Sequence, residues 1–96
     1  MSESATLTIE GDTLYLAGPV TFETVTALAR QMEKQLTGTI SRINCSGITH
    51  ADSAAVSLLL HALHITTHRT MPLPIEGIGP ALQSLIKLYG VEEMVG

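Results

Sequence analysis

Asp52 and Ser53 stand side by side between a short apolar stretch and a long run of Ala, Val and Leu. A carboxylate and a hydroxyl at a helix start can cap exposed backbone N–H groups, meet a phosphoryl group or meet a partner protein. The run that follows carries Ser and His where a solvated helix carries Lys and Glu. Advancing about 100° per residue gathers Ser53, Ser57, His61, His64 and His68 on one stripe, flanked by Val56 and Leu60. Ala55, Leu58, Leu59, Ala62, Leu63 and Ile65 fall on the broad opposite face, which must pack on a sheet.

Three chemistries compete for this stripe. His61, His64 and His68, at i, i+3 and i+7, could approach one metal ion. No acidic or thiol group joins them on the helix, and Cys45 belongs to a strand, so neither a metal nor any other cofactor is expected. A hydrolase would need Ser53, a His and Asp52, but adjacent Asp and Ser cannot both serve one His in triad geometry. No G-x-S-x-G elbow, phosphate-binding loop or dinucleotide fingerprint accompanies them, and no enzyme is expected.

The third chemistry is contact. Between Arg42 and Arg69 the one formal charge is Asp52. A neutral stripe edged by apolar side chains suits a covered surface, although a weakly polar solvated face is the plainer alternative. The expected partner-binding residues are His50, Asp52, Ser53, Ala54, Val56, Ser57, Leu60, His61 and His64. Either Asp52 or Ser53 would also act as the N-cap, worth about 1 kcal/mol.

The elements that position these groups follow from local pattern. Ala5–Ile9 and Thr13–Ala17 alternate around Gly11-Asp12, a β-hairpin that Gly18-Pro19 ends. Thr21 can cap a helix carrying Val25, Leu28, Met32 and Leu36, closed by Gly38. A strand over Thr39–Cys45 leads through the loop Ser46–Ala51 to the central helix, Ser53 to His68. Met71–Ile75 is extended, its two prolines fitting an edge or strand ends. Gly79-Pro80 opens a last helix with Leu82, Leu85, Ile86 and Tyr89, Gly90 takes its C′ position, and Val91–Gly96 is a tail. The order β-β-α-β-α-β-α makes a small α/β domain.

Composition narrows the function classes. At 96 residues the chain, 1–96, reads as a single domain that buries roughly 60–65% of its unfolded surface. Charged residues make up only 15%, against about 25% in an average soluble domain, which again suggests a covered surface. A net charge of −4 with scattered Lys and Arg, and three aromatics in all, excludes a nucleic-acid reading. The lone Cys45, the absence of a basic n-region and the lack of a long apolar run predict a soluble cytoplasmic protein without direct membrane insertion.

The stretch Ile43-Asn44-Cys45-Ser46-Gly47-Ile48-Thr49-His50-Ala51-Asp52-Ser53-Ala54-Ala55-Val56 resembles the hallmark segment of STAS domains, the fold of anti-sigma factor antagonists. The likeness continues through Leu58-Leu59-Leu60-His61 and Leu85–Val91, and with the hairpin covers nearly the whole chain. It implies a small mixed β-sheet with helices packed mainly on one face. Within the family, the Leu-Leu-Leu-His run and the Lys-Leu-Tyr segment are most similar to the STAS subunit of phospholipid-transport ABC complexes, which maintain outer-membrane lipid asymmetry in Gram-negative bacteria. That implies binding to the ABC ATPase subunit and, through it, to the permease and the periplasmic lipid-binding subunit, peripheral to the inner membrane. Ser53 matches the phosphorylated position of sigma-regulating relatives, so a phosphorylation-switched anti-sigma factor antagonist is the alternative. Asn44 replaces a frequent Asp, and Ala55 replaces the usual Gly, which makes the backbone at the helix start less open to close approach.

Overall fold

The computed structural model describes residues 4–69 and 73–90. The alternating segments at the start form β1 (Thr6–Glu10) and β2 (Thr13–Val20), and Glu10 pairs with Thr13 across Gly11-Asp12. Gly11 has φ 61°, whereas no described non-glycine residue has a positive φ. Positive φ at the first of two loop residues is the II′ pattern, whose twist matches the strands it joins. Gly18-Pro19 does not end β2, contrary to expectation. The strand continues to Val20, which pairs with Ala51, and Pro19 is accommodated at a register shift where the ladder is already interrupted.

The first helix, α1 (Val25–Gln35), starts later than Thr21. Thr24, not Thr21, takes the N-cap position and no side chain caps the helix; Thr21 lies in the turn before it, its carbonyl accepting from Thr24 and Val25. Nor does Gly38 close the helix. Leu36 leaves helical geometry at φ −82°, ψ 77°, and Gly38 sits in a following turn with Ile40 N–H donating to Thr37 O, its φ outside the left-handed region.

β3 (Arg42–Ala51) starts later than expected and absorbs the segment read as a loop. Its register against β2 explains why. From Tyr15↔Asn44 to Ala17↔Gly47, and again from Gly18↔Ile48 to Pro19↔His50, β3 advances one residue more than β2. Two bulges therefore break the alternation without ending the pairing. Gly47 lies at the first, where a Cβ would come within 2.8 Å of Ala17 Cβ.

α2 (Ser53–Ile65) stops one turn before His68. The Thr66 hydroxyl donates to Ala62 O at 3.0 Å and the Thr67 hydroxyl to His64 O at 3.0 Å, local bonds that compete with continued helix. Arg69 then fastens the turn by donating to Ile40 O and Thr37 O. β4 (Ile75–Glu76) is a short edge strand, and α3 (Pro80–Leu88) begins with Gly79 as N-cap and Pro80 at its first turn, as the sequence implied. Gly90 has φ 68° at the C′ position. Met71-Pro72 and the tail Val91–Gly96 lie outside the described residues.

The sheet runs β1-β2-β3-β4, antiparallel in its first pair and parallel in the others, hence mixed. Leu14, Leu16, Ile43 and Cys45 are buried on one face beneath the helices. Thr8, Tyr15, Asn44 and Glu76 share a register row on the other face and keep contact with solvent. Against the buried face, Leu58, Leu59 and Ala62 of α2 pack with Leu28 and Met32 of α1 and Leu82 and Ile86 of α3. The central helix thus has the sheet below it and a helix on either side.

Candidate functional site

β2 and β3 end together at the Val20↔Ala51 pair, and both chains leave the sheet there. This is the carboxyl edge of parallel strands, where α/β sheets usually place their binding groups. Asp52 leaves β3 with extended backbone (φ −126°, ψ −166°), and its Oδ1 accepts the Ala54 N–H at 2.8 Å. The choice left open between two caps is resolved: Asp52 caps α2. Ser53 occupies the first helical turn half-buried, and its hydroxyl has no hydrogen-bond partner among the described residues.

The second carboxylate oxygen of Asp52 reaches across to the turn after β2, where Oδ2 accepts the Phe22 N–H at 3.1 Å. That turn is braced from within. Thr24 Oγ1 accepts from Thr21 N at 3.0 Å and donates to Pro19 O at 2.8 Å. Phe22 is 78% exposed on this braced turn, the most exposed large apolar side chain described.

Sequence reasoning missed Phe22. Its spacing of three from Val25 continues the apolar face of α1 and would bury it. Because the helix starts only at Val25, the turn directs Phe22 outward instead. No local signal marks it, because an expected cap at Thr21 places Phe22 inside the helix, whereas the cap is Thr24.

Along α2 the expected stripe is narrower than the pattern suggested. Ser57 and His64 are exposed, and Ser53, Leu60 and His61 are half-buried. Ala54 and Val56 need correction, being only 7% and 4% exposed, so their side chains belong to the interior. The physical reason is that α2 buries flanks against α1 and α3 as well as its underside against the sheet. His61 also has a partner within the chain: its Nε2 lies 3.1 Å from Glu33 Oε1 of α1.

His50 is exposed near the end of β3. It lies 3.3 Å from Thr49 Oγ1 and lines a cleft of about 240 Å³ with Ser46, Ile48, Gly77 and Leu82, between β3 and the start of α3. His68 is exposed in the turn beyond α2, so the helical i, i+7 relation to His61 is lost.

Among the described residues no three His, Cys, Asp or Glu side chains come together in a group that could hold a metal ion. Both oxygens of Asp52 serve backbone N–H groups, so the carboxylate orients peptide segments and no histidine. Cys45 is buried at 2% exposure, and loss of solvent pushes its thiol pKa up to about 12. No described helix is long and apolar enough to cross a membrane. What lies open to solvent here is an aromatic ring at Phe22, a Ser53 hydroxyl without a hydrogen-bond partner among the described residues, and a short Ser/His stripe.

Comparison with known proteins bears on family and fold. The family model described as "Mlab, STAS domain" matches residues 4–96. The intermembrane phospholipid transport system binding protein MlaB of Escherichia coli K12 is 29% identical over 91 residues, covering 95% of this chain and 93% of that protein. MlaB of Shigella flexneri matches with the same figures. Among solved structures, the anti-sigma factor antagonist SpoIIAA in its unphosphorylated form superposes with a TM-score of 0.64 at 14% identity, over 88% of this chain and 83% of that one. At that identity the likeness bears on fold alone.

Proposed function

We propose, on the premise that the chain belongs to the STAS domain family, that it is a non-enzymatic subunit of a phospholipid-transport ABC complex. In this reading it binds and supports the ATPase subunit through Asp52, Ser53 and the exposed stripe of α2. Through that subunit it would sit beside the permease and the periplasmic lipid-binding subunit, at the cytoplasmic side of the inner membrane. The observation that carries the reading is the uncommitted surface at the head of α2. Asp52 does the capping, which leaves the Ser53 hydroxyl free and Ser57 and His64 exposed with no formal charge beside them on the helix. The near full-length likeness to MlaB, a protein named for intermembrane phospholipid transport, supports the choice of partner.

Co-expression of tagged ATPase subunit with this chain tests the proposal. The wild-type chain should co-purify with the ATPase, and Ser53→Arg or Ser57→Arg should abolish recovery while leaving the isolated chain folded. Undiminished co-purification of both variants would overturn it.

A second reading has one observation in its favour. The free Ser53 hydroxyl stands at a helix N-terminus, where a phosphate is favourably placed by the exposed N–H groups and helix dipole. A switch of this kind would bring about −2 charge onto a neutral surface and release a partner. Intact mass of the chain isolated from its native host distinguishes the readings, since a phosphorylated antagonist carries stoichiometric phosphate lost in Ser53→Ala.

A further inference from the structure

An aromatic side chain exposed to water forgoes the stabilisation that burying its ring would give, and burial against a partner would recover it. Phe22 is such a case. Its turn is held by the Thr21–Thr24 and Thr24–Pro19 hydrogen bonds, and its own N–H is held by Asp52. The ring is therefore presented from a preorganised backbone, which lowers the ordering cost of burying it against a partner.

The same carboxylate that holds the Phe22 N–H caps α2, so the turn that bears the ring and the helix start that bears Ser53 are joined through backbone N–H groups. The turn after β2 and the first turn of α2 are therefore held side by side at this edge of the sheet. Binding hot spots concentrate in buried aromatic anchors ringed by weaker polar contacts. Phe22 supplies such an anchor, and Ser53 and Ser57 supply polar surroundings.

We infer that Phe22 is the aromatic anchor of the partner interface, entering an apolar pocket on the ATPase subunit, with Asp52 as the residue that positions it. This inference rests on the reading given under Proposed function. It assigns the main hydrophobic contact to the turn after β2, outside the α2 stripe.

The test uses the intact ABC complex assembled without this subunit, titrated with purified wild-type chain and with Phe22→Ala, Phe22→Leu, Asp52→Asn and Ser53→Arg. Phe22→Ala should weaken binding by about 30-fold or more, the size of a hot-spot truncation. Phe22→Leu should recover part of that loss, because it restores apolar volume. Asp52→Asn should weaken binding by a smaller factor while the helical circular-dichroism signal is unchanged. Equal binding by wild type and Phe22→Ala, with Ser53→Arg still defective, would overturn the anchor and leave the partner assignment standing. No binding by wild type overturns both. A change in self-association on Phe22→Ala, read by light scattering, with unchanged binding to the complex would assign the ring to a second copy and likewise overturn the inference.

Discussion

Asp52 joins two segments thirty residues apart, accepting the Phe22 N–H at 3.1 Å with one carboxylate oxygen and the Ala54 N–H at 2.8 Å with the other. Neither bond alone is unusual. Together they make the start of α2 and the turn after β2 one structural unit, so a substitution at Asp52 acts on both.

Asp52→Ala removes a helix cap and leaves the Phe22 N–H without its acceptor. The expected cost is about 1–2 kcal/mol in urea unfolding, with an unchanged slope. Asp52→Asn keeps a side-chain oxygen for Ala54 and should cost clearly less. Equal losses in the two variants would mean that the cap contributes nothing and that charge alone matters.

Two glycines give opposite expectations. At Gly47 an added Cβ would lie 2.8 Å from Ala17 Cβ and 3.2 Å from Leu16 O, so Gly47→Ala must push β2 and β3 apart. Overpacking of that kind costs about 1–3 kcal/mol. At Gly38 nothing lies within 4 Å and φ is not left-handed, so Gly38→Ala should be neutral or stabilise by about 0.4–1 kcal/mol through the unfolded chain. A C′ glycine would show the reverse, and thermal melts of the two variants decide between these outcomes.

The buried thiol offers a probe of opening. Burial favours neutral Cys45 and raises its pKa from 9.0 to about 12, so the stabilisation is fully present below the unfolded value and is lost as pH rises toward the folded one. At pH 8 the native chain should resist iodoacetamide for hours, while chain unfolded in guanidinium is alkylated quantitatively. Rapid native alkylation, read by intact mass, would show that β3 opens on its own.

Legibility in the sequence followed the range of the interactions. The hairpin turn at Gly11 and the whole of α3 are set by local chemistry, namely a glycine at a positive φ, a proline in the first turn and Gly90 after the last. Those were readable. β3 was read short because two bulges scramble its alternation, and a bulge is a relation between strands. Val56 was misplaced because α2 is apolar around most of its circumference, so its pattern does not show which flanks α1 and α3 cover. Phe22 was invisible for a similar reason: its outward direction depends on Thr24 and on Asp52, thirty residues away. Ser53, Ser57 and His64 were legible as neighbours on the open side of α2, because helical spacing alone determines which residues share a face.

At the opposite end of the sheet, Asp12 accepts hydrogen bonds from the Ser41 and Thr13 hydroxyls and lies 3.8 Å from the Arg42 guanidinium. The Ser41 bond first, then that from Thr13 and the Arg42 charge, hold its carboxyl below the usual 3.8. A lowered folded pKa stabilises the fold above the unfolded value and loses that contribution as pH falls through the folded one. Asp12→Asn should therefore flatten the acid limb of the stability curve below about pH 4, with little change in its shape at neutral pH. The carboxylate and the guanidinium are both exposed, so added salt should weaken the Arg42 part and leave the Ser41 bond. Urea midpoints measured from pH 3 to 7 for wild type and variant provide the check, and parallel curves would show that Asp12 titrates as it does in the unfolded chain.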